Sequence, residues 1–168
     1  IVKCKNYKRK DLYQLPVKPS PNLPNMNSVY LYPSLCFSEG TVLSCGRGTP
    51  WPFQVIGSPL LSDKGFSFTP TPGPGASNPR FKGVLCYGVD FTHEFEKGDV
   101  PKPYIDLQWM IDIYSSYPEK DKFFNSYFDT LAGGPKLREQ IIAGLSSKEI
   151  RKTWKAGVRK FKTDRKQY

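Results

Sequence analysis

Histidine is almost missing from this chain: His93 is the only one in 168 residues. Four cysteines, Cys4, Cys36, Cys45 and Cys86, are too dispersed for paired Cys-x-x-Cys knuckles. Together these shortages argue against a metal site, and nothing in the chain calls for a cofactor. No run approaches the roughly 18 apolar residues of a membrane span, so none is expected. There is no zinc-finger spacing, no RNA-recognition signature and no Gly-rich RNA-binding tract, so nucleic acid is not the expected partner. Neither an initiator Met nor a signal-like apolar stretch opens the chain. Ile1-Val2-Lys3-Cys4 reads as a strand entered in mid-protein, as in a fragment or a cleaved chain. The four cysteines allow three complete pairings in an exported protein, yet Cys36 and Cys86 sit among apolar neighbours and read equally as buried thiols.

Acidic residues are also in short supply, 15 against 25 Lys and Arg, for a formal net charge of +10. The excess lies at the ends. Lys3, Lys5, Lys8, Arg9 and Lys10 face no acid within the first ten residues, and residues 146–168 carry nine Lys or Arg against Glu149 and Asp164. Such a field attracts nucleic acid, anionic lipid or an anionic polymer such as cell wall; the plainer alternative is a solvated basic helix.

What is present is punctuation followed by helix. Length fits one domain over residues 1–168. Residues 1–7 read as a short strand, and four prolines stiffen residues 16–24 into an extended connector. Residues 27–37 fit a short helix capped by Asn27 or Ser28 and limited by Pro33. Short strands are expected at Thr41–Ser44, Phe53–Ile56, Phe66–Thr69 and Val84–Val89, with an exposed loop at Pro70–Ala76.

The last third has helical spacing. Leu107, Met110, Ile111 and Tyr114 mark a helix within Tyr104–Tyr117, started near Pro103 and stopped by Pro118. A second helix spans Pro135–Ala143. Ser146 and Glu149 form a capping box, after which Ile150, Trp154, Val158 and Phe161 line one face expected to be core. The class expected is α+β, short mixed strands with C-terminal helices packed on them.

Between the prolines and the first strands lies a run of turn chemistry around one carboxylate and one guanidinium. Glu39 could supply the acid or base of a glycoside hydrolase. Arg47, fixed between Gly46 and Gly48, could hold a substrate carboxylate in a fork or restrain Glu39. Asn22 offers amide groups suited to a sugar hydroxyl or acetamido group. Trp51, between Pro50 and Pro52, is the best stacking platform, whereas Trp109 and Trp154 lie on helices as core. Each residue also has a structural reading: Asn22 closes a turn, Glu39 caps backbone amides and Arg47 braces its loop.

Several separated motifs recur here in one order: Pro19-Ser20-Pro21-Asn22-Leu23-Pro24, Tyr32-Pro33, Glu39-Gly40-Thr41, Gly46-Arg47-Gly48-Thr49 followed by Pro52-Phe53, and Gly57-x-Pro59. Beyond them come Cys86-Tyr87-Gly88-Val89-Asp90, Asp121-Lys122-Phe123-Phe124 and Leu131-Ala132-Gly133, then Trp154, Phe161 and Arg165. Almost end to end, the chain resembles the C-terminal domain of the exo-β-N-acetylmuramidase family. That resemblance implies a two-domain enzyme in which a Rossmann-like N-terminal domain, absent from this chain, is the partner across a substrate cleft. It implies release of terminal N-acetylmuramic acid from the non-reducing end of peptidoglycan fragments, in a secreted or periplasmic setting. By position in the motifs it implies Glu39 as the catalytic residue and Asn22, Arg47, Ser20 and Thr49 as substrate contacts, with Trp51 of the same loop joining them as the stacking candidate. A non-catalytic carbohydrate-binding or wall-binding module is the alternative, and a purely structural basic domain a third.

Overall fold

The computed structural model describes residues 2, 4–8, 11–95 and 104–167. Ile1, Lys3, Arg9, Lys10 and Pro103, on which expectations above rest, lie outside the described residues. Among the described residues, five α-helices and a three-stranded antiparallel sheet make an α+β fold.

Helix α1, Met26–Leu35, begins where Asn25 holds extended backbone and its side chain accepts from Ser28 N at 2.9 Å, with Ser28 Oγ returning a contact to Asn25 N. Asn25, not Asn27 or Ser28, is therefore the cap. The side chain of Asn27 is occupied instead by long-range contacts to Gln54, Phe91 and Thr92. Pro33 sits inside α1 near its end, where its missing N–H removes a single ladder bond, and the chain then tightens into a 3₁₀ turn over Cys36–Gly40.

The sheet runs in the order β1-β3-β2, with β1 Val55–Ser58, β2 Ser67–Phe68 and β3 Cys86–Asp90. Gly57 lies opposite Gly88, and a Cβ built on Gly88 would fall 1.8 Å from Ile56 O, so only glycine permits this approach of β3 to β1. Three of the expected strands appear with ends shifted by a few residues; Thr41–Ser44 does not form one. Thr41 bridges Phe124 while Ser44 bridges Gly57, so the segment passes between two partners without laddering on either. The strand expected at the N-terminus is likewise absent from the described part of residues 1–8, where every described residue is exposed and Lys5–Asn6 form a turn. With no face to bury, an alternating pattern has nothing to stabilise it.

Four helices follow: α2 Gln108–Ser116, α3 Tyr127–Ala132, α4 Lys136–Ile142 and α5 Ser147–Asp164. The box at the start of α5 forms, with Ser146 N donating to Glu149 Oε2 at 2.9 Å and Glu149 N to Ser146 Oγ at 3.3 Å. Its apolar face is only half used. Ile150 is fully buried and Trp154 packs on the core, but Val158 and Phe161 are 47% and 62% exposed. The expectation that all four are core is corrected: α5 outruns the core, and Phe161 meets the Arg165 guanidinium 5.9 Å from its ring centre instead.

One cluster joins Leu35, Leu43, Phe53, Ile56, Met110, Phe123, Phe128 and Ile150, and a smaller one joins Val55, Phe68 and Cys86. Each large apolar side chain buried this way contributes about 1.5–3 kcal/mol. Trp109 is buried, with its indole N–H donating to Asp106 O at 3.1 Å, in keeping with a structural role.

Candidate functional site

The segment carrying Glu39 is held from both sides. Asn125 N donates to Gly40 O at 3.0 Å, Asn125 Nδ2 donates to Glu39 O at 3.1 Å, and Val42 N donates to Phe123 O at 2.9 Å. Gly40 lies against α3, where a Cβ would fall 2.5 Å from Phe128 Cα. Arg80 Nη1 donates to Thr41 O next door. The Glu39 carboxylate thus projects from a clamped backbone.

Arg47 comes from the next turn. Gly46 and Gly48 take φ of 76° and 83°, conformations that favour glycine, and Thr49 Oγ1 donates to Gly46 O at 2.7 Å while accepting from Trp51 N at 3.0 Å. Arg47 Nη2 reaches Glu39 Oε1 at 2.7 Å, with side chains 41% and 21% exposed. A pair so open to solvent contributes roughly 0–1 kcal/mol, so its consequence is orientation rather than stability. The guanidinium also lies 5.4 Å from the centre of the Phe53 ring. Phe53 is 1% exposed yet takes φ 54°, a left-handed conformation costly for a bulky residue, fixed by its N–H to Cys45 O at 2.7 Å. The strained residue in this region therefore supports Arg47 from below.

Tyr32 flanks the pair, meeting Phe53 edge-on at 4.9 Å between ring centres, and is 37% exposed. Burial, then the Glu39 charge, raises the Tyr32 phenol above its ordinary value. The same two causes push the Cys36 thiol up to about 11, and burial raises Cys45. All four cysteines are free thiols.

The other expected contacts lie elsewhere. Asn22 and Thr49 line one shallow, proline-rich depression of about 360 Å³ with Pro72 and Pro74. There Asn22 Nδ2 donates to Gly75 O at 2.9 Å, and Ser20 Oγ accepts from Asn22 N at 3.1 Å. Trp51 is 42% exposed and belongs to a different pocket, with Gln54 and Asp90. A largely apolar cavity of about 400 Å³ opens beside Tyr30, Ser34 and Trp109, on the face of α1 turned away from Tyr32. Neither Glu39 nor Arg47 lines these three depressions; both are half-buried, and Arg47 Nε is buried with no hydrogen-bond partner among the described residues.

Residues 30–168 match the family described as "Exo-beta-N-acetylmuramidase NamZ, C-terminal". This chain belongs to that family. It is 33% identical to the peptidoglycan beta-N-acetylmuramidase NamZ of Bacillus subtilis over 191 aligned positions, covering 100% of this chain and 44% of that protein. A crystal structure of a DUF1343 family protein from Bacteroides fragilis matches 98% of this chain and 46% of its own at 44% identity, with a TM-score of 0.92. The chain thus spans less than half the length of these two relatives. The family match takes in Glu39, Arg47, Thr49 and Trp51 but begins after Ser20 and Asn22, which only the longer alignments reach. No helix among the described residues is long and apolar enough to cross a membrane.

Sequence reasoning missed the parts played here by Phe53, Asn125 and Tyr32. Phe53 stands beside Pro52 in one of the motifs, but nothing in a sequence marks a phenylalanine with positive φ. Asn125 acts 86 residues from Glu39, beyond the reach of local pattern.

Proposed function

We propose that this chain forms the C-terminal wall of a glycosidase that releases non-reducing terminal N-acetylmuramic acid from peptidoglycan fragments. Family membership supports the reaction class, and the observation that carries the site is the half-buried Glu39–Arg47 ion pair at 2.7 Å. A pair that lines none of the three depressions described needs a second wall to enclose a substrate, and relatives more than twice as long have chain enough to provide one. In this reading residues 1–168 are one domain, and a Rossmann-like N-terminal domain covers the pair.

Arg47 is the anion reader. Its planar fork matches a carboxylate, and N-acetylmuramic acid differs from its neighbour in the glycan by a lactyl carboxylate. Glu39 holds the guanidinium in place and, as a carboxylate engaged with a cation, accepts rather than donates. It fits a base, or a charge that stabilises the oxocarbenium-like transition state, with the proton donor coming from the opposite wall. Asn22 and Thr49 contact substrate from the neighbouring depression, Ser20 joins them from beside Asn22, and Trp51 extends the surface. Peptidoglycan lies outside the cytoplasmic membrane, so the enzyme works in a secreted or periplasmic setting. The exposed indole of Trp51 also favours a second reading, a non-catalytic carbohydrate-binding module.

Comparing residues 1–168 with the complete protein on a chromogenic muramide separates the two. Residues 1–168 alone should bind N-acetylmuramic acid without cleaving the muramide, because a site built from two walls needs both to position the reacting groups. Turnover only in the complete protein supports the enzyme reading. Efficient turnover by residues 1–168 removes the two-wall claim, and none in either protein leaves the binding module.

A further inference from the structure

A pocket of about 390 Å³ separate from the ion pair is lined by Trp51, Gln54, Asp90, Thr92 and His93, with Asn25 and Phe66 completing it. Gln54 is 2% exposed, yet its Nε2 has no hydrogen-bond partner among the described residues. The orientation of this amide is fixed by its neighbours. Phe95 N donates to Asn27 Oδ1 at 3.2 Å, which leaves Asn27 Nδ2 to face Phe91 O and Thr92 O, each at 3.0 Å, and Gln54 Oε1 at 2.9 Å. Flipping Gln54 would set donor against donor, so the unpartnered atom is an N–H₂ group, buried on a residue that lines the pocket. A buried donor without an acceptor is costly, and a ligand carbonyl would relieve it.

The remaining groups complement that donor. Trp51 offers a half-exposed indole, and Asp90 Oδ1 accepts from Thr92 N at 2.7 Å, which sets the carboxylate to accept further hydrogen bonds. No Lys or Arg stands among the described lining residues, so the pocket has no fixed cation for a carboxylated sugar. A flat apolar face, a carboxylate acceptor and an amide donor are the complement of a pyranose that carries hydroxyls and an amide carbonyl.

We infer that this pocket is a subsite for a neutral acetamido sugar, stacked on Trp51, donating a hydroxyl to Asp90 and accepting from Gln54 through its acetamido carbonyl. The geometry argues for a neutral sugar by itself. That the sugar is an N-acetylglucosamine unit beside the muramic acid rests on the peptidoglycan reading above.

The test titrates N,N′-diacetylchitobiose and cellobiose into the intact protein, followed by amide chemical shifts and tryptophan fluorescence. Diacetylchitobiose should saturate shifts at Trp51, Asp90 and Thr92. Trp51→Ala should weaken it by roughly tenfold, the scale of one aromatic contact, and Trp51→Phe should restore most of the loss. Gln54→Met should erase the preference for diacetylchitobiose over cellobiose while Asn27 keeps its two carbonyl acceptors. No saturable shift at these residues with either disaccharide overturns the subsite, as does wild-type affinity in a folded Trp51→Ala protein. Equal affinity for the two disaccharides in the wild type overturns the acetamido assignment. Binding of N-acetylmuramic acid, and its loss in Arg47→Lys, reports on the ion-pair site separately, so either site can fail while the other stands.

Discussion

Arg47 Nη2 stands 2.7 Å from Glu39 Oε1, with the cation the more exposed partner. The carboxylate sits on a segment clamped by Asn125, and the guanidinium rests over a phenylalanine in a left-handed conformation. A long, flexible side chain is thereby presented to solvent in one orientation before any ligand arrives. Such preorganisation lowers the cost of binding an anion, because less rotamer freedom remains to be lost.

Gly40 ties this site to the stability of the fold. A methyl group there would press on Phe128 Cα at 2.5 Å, and the backbone of α3 cannot yield as a side-chain tip would. Gly40→Ala should destabilise by about 1–3 kcal/mol through overpacking. Gly157, in the exposed part of α5 with nothing within 4 Å of where a methyl would stand, should show the opposite sign. There Gly157→Ala should stabilise by roughly 0.5–1 kcal/mol through helix propensity. Thermal unfolding of the two variants reads both.

Asp129 and Arg138 join α3 to α4 through paired contacts of 2.8 Å. Hydrogen bonding to Arg138 holds the Asp129 carboxyl below its ordinary value of 3.8. A carboxyl whose folded value is depressed stabilises the fold above its unfolded value, and that contribution is lost as pH falls through the folded one. Asp129→Asn should therefore unfold at a lower temperature than wild type from neutral pH down to about pH 4, with the gap closing below that. A gap that persists in strong acid would assign the effect to shape rather than charge.

Lys152, Lys155 and Arg159 are exposed on α5. Reversing all three should weaken capture of an anionic wall polymer at low salt, with the difference fading as ionic strength rises, because exposed charges are screened. Turnover of a small soluble muramide by the complete enzyme should change little. A salt-independent loss on the small substrate would place this helix in the cleft.

How much of the molecule is legible in its sequence varies with the range of the forces involved. The Ser146–Glu149 box and the α+β class follow from local chemistry and periodicity, and both appear. Thr41–Ser44 reads as a strand by composition but is shared between Phe124 and Gly57, a tertiary choice that no window sees. Val158 and Phe161 have helical spacing, which says where side chains point but not whether anything covers them. Helix α3 has no counterpart among the expected elements, although Phe123 and Phe124 precede it, Phe128 is its buried residue and Gly133 ends it in a left-handed conformation. Among the site residues, the turn glycines make a Glu39–Arg47 contact conceivable. The donor left on Gln54 depends on partners distant in sequence, and the positive φ at Phe53 is one that its residue type does not announce.

Whether Arg47 reads the lactyl carboxylate while Glu39 serves the reaction is decided by turnover of the complete enzyme on two substrates. These are a muramide and its analogue lacking the lactyl carboxylate, with unfolding temperatures measured in parallel. Arg47→Lys keeps the charge but loses the fork, so it should raise KM for the muramide and leave the analogue nearly unaffected. Glu39→Gln, close in shape but without the charge, should lower kcat on both substrates by about 100-fold or more while remaining folded. Both roles are contradicted if Arg47→Lys impairs the two substrates alike and folded Glu39→Gln enzyme turns over near the wild-type rate; either result alone removes the role of its own residue.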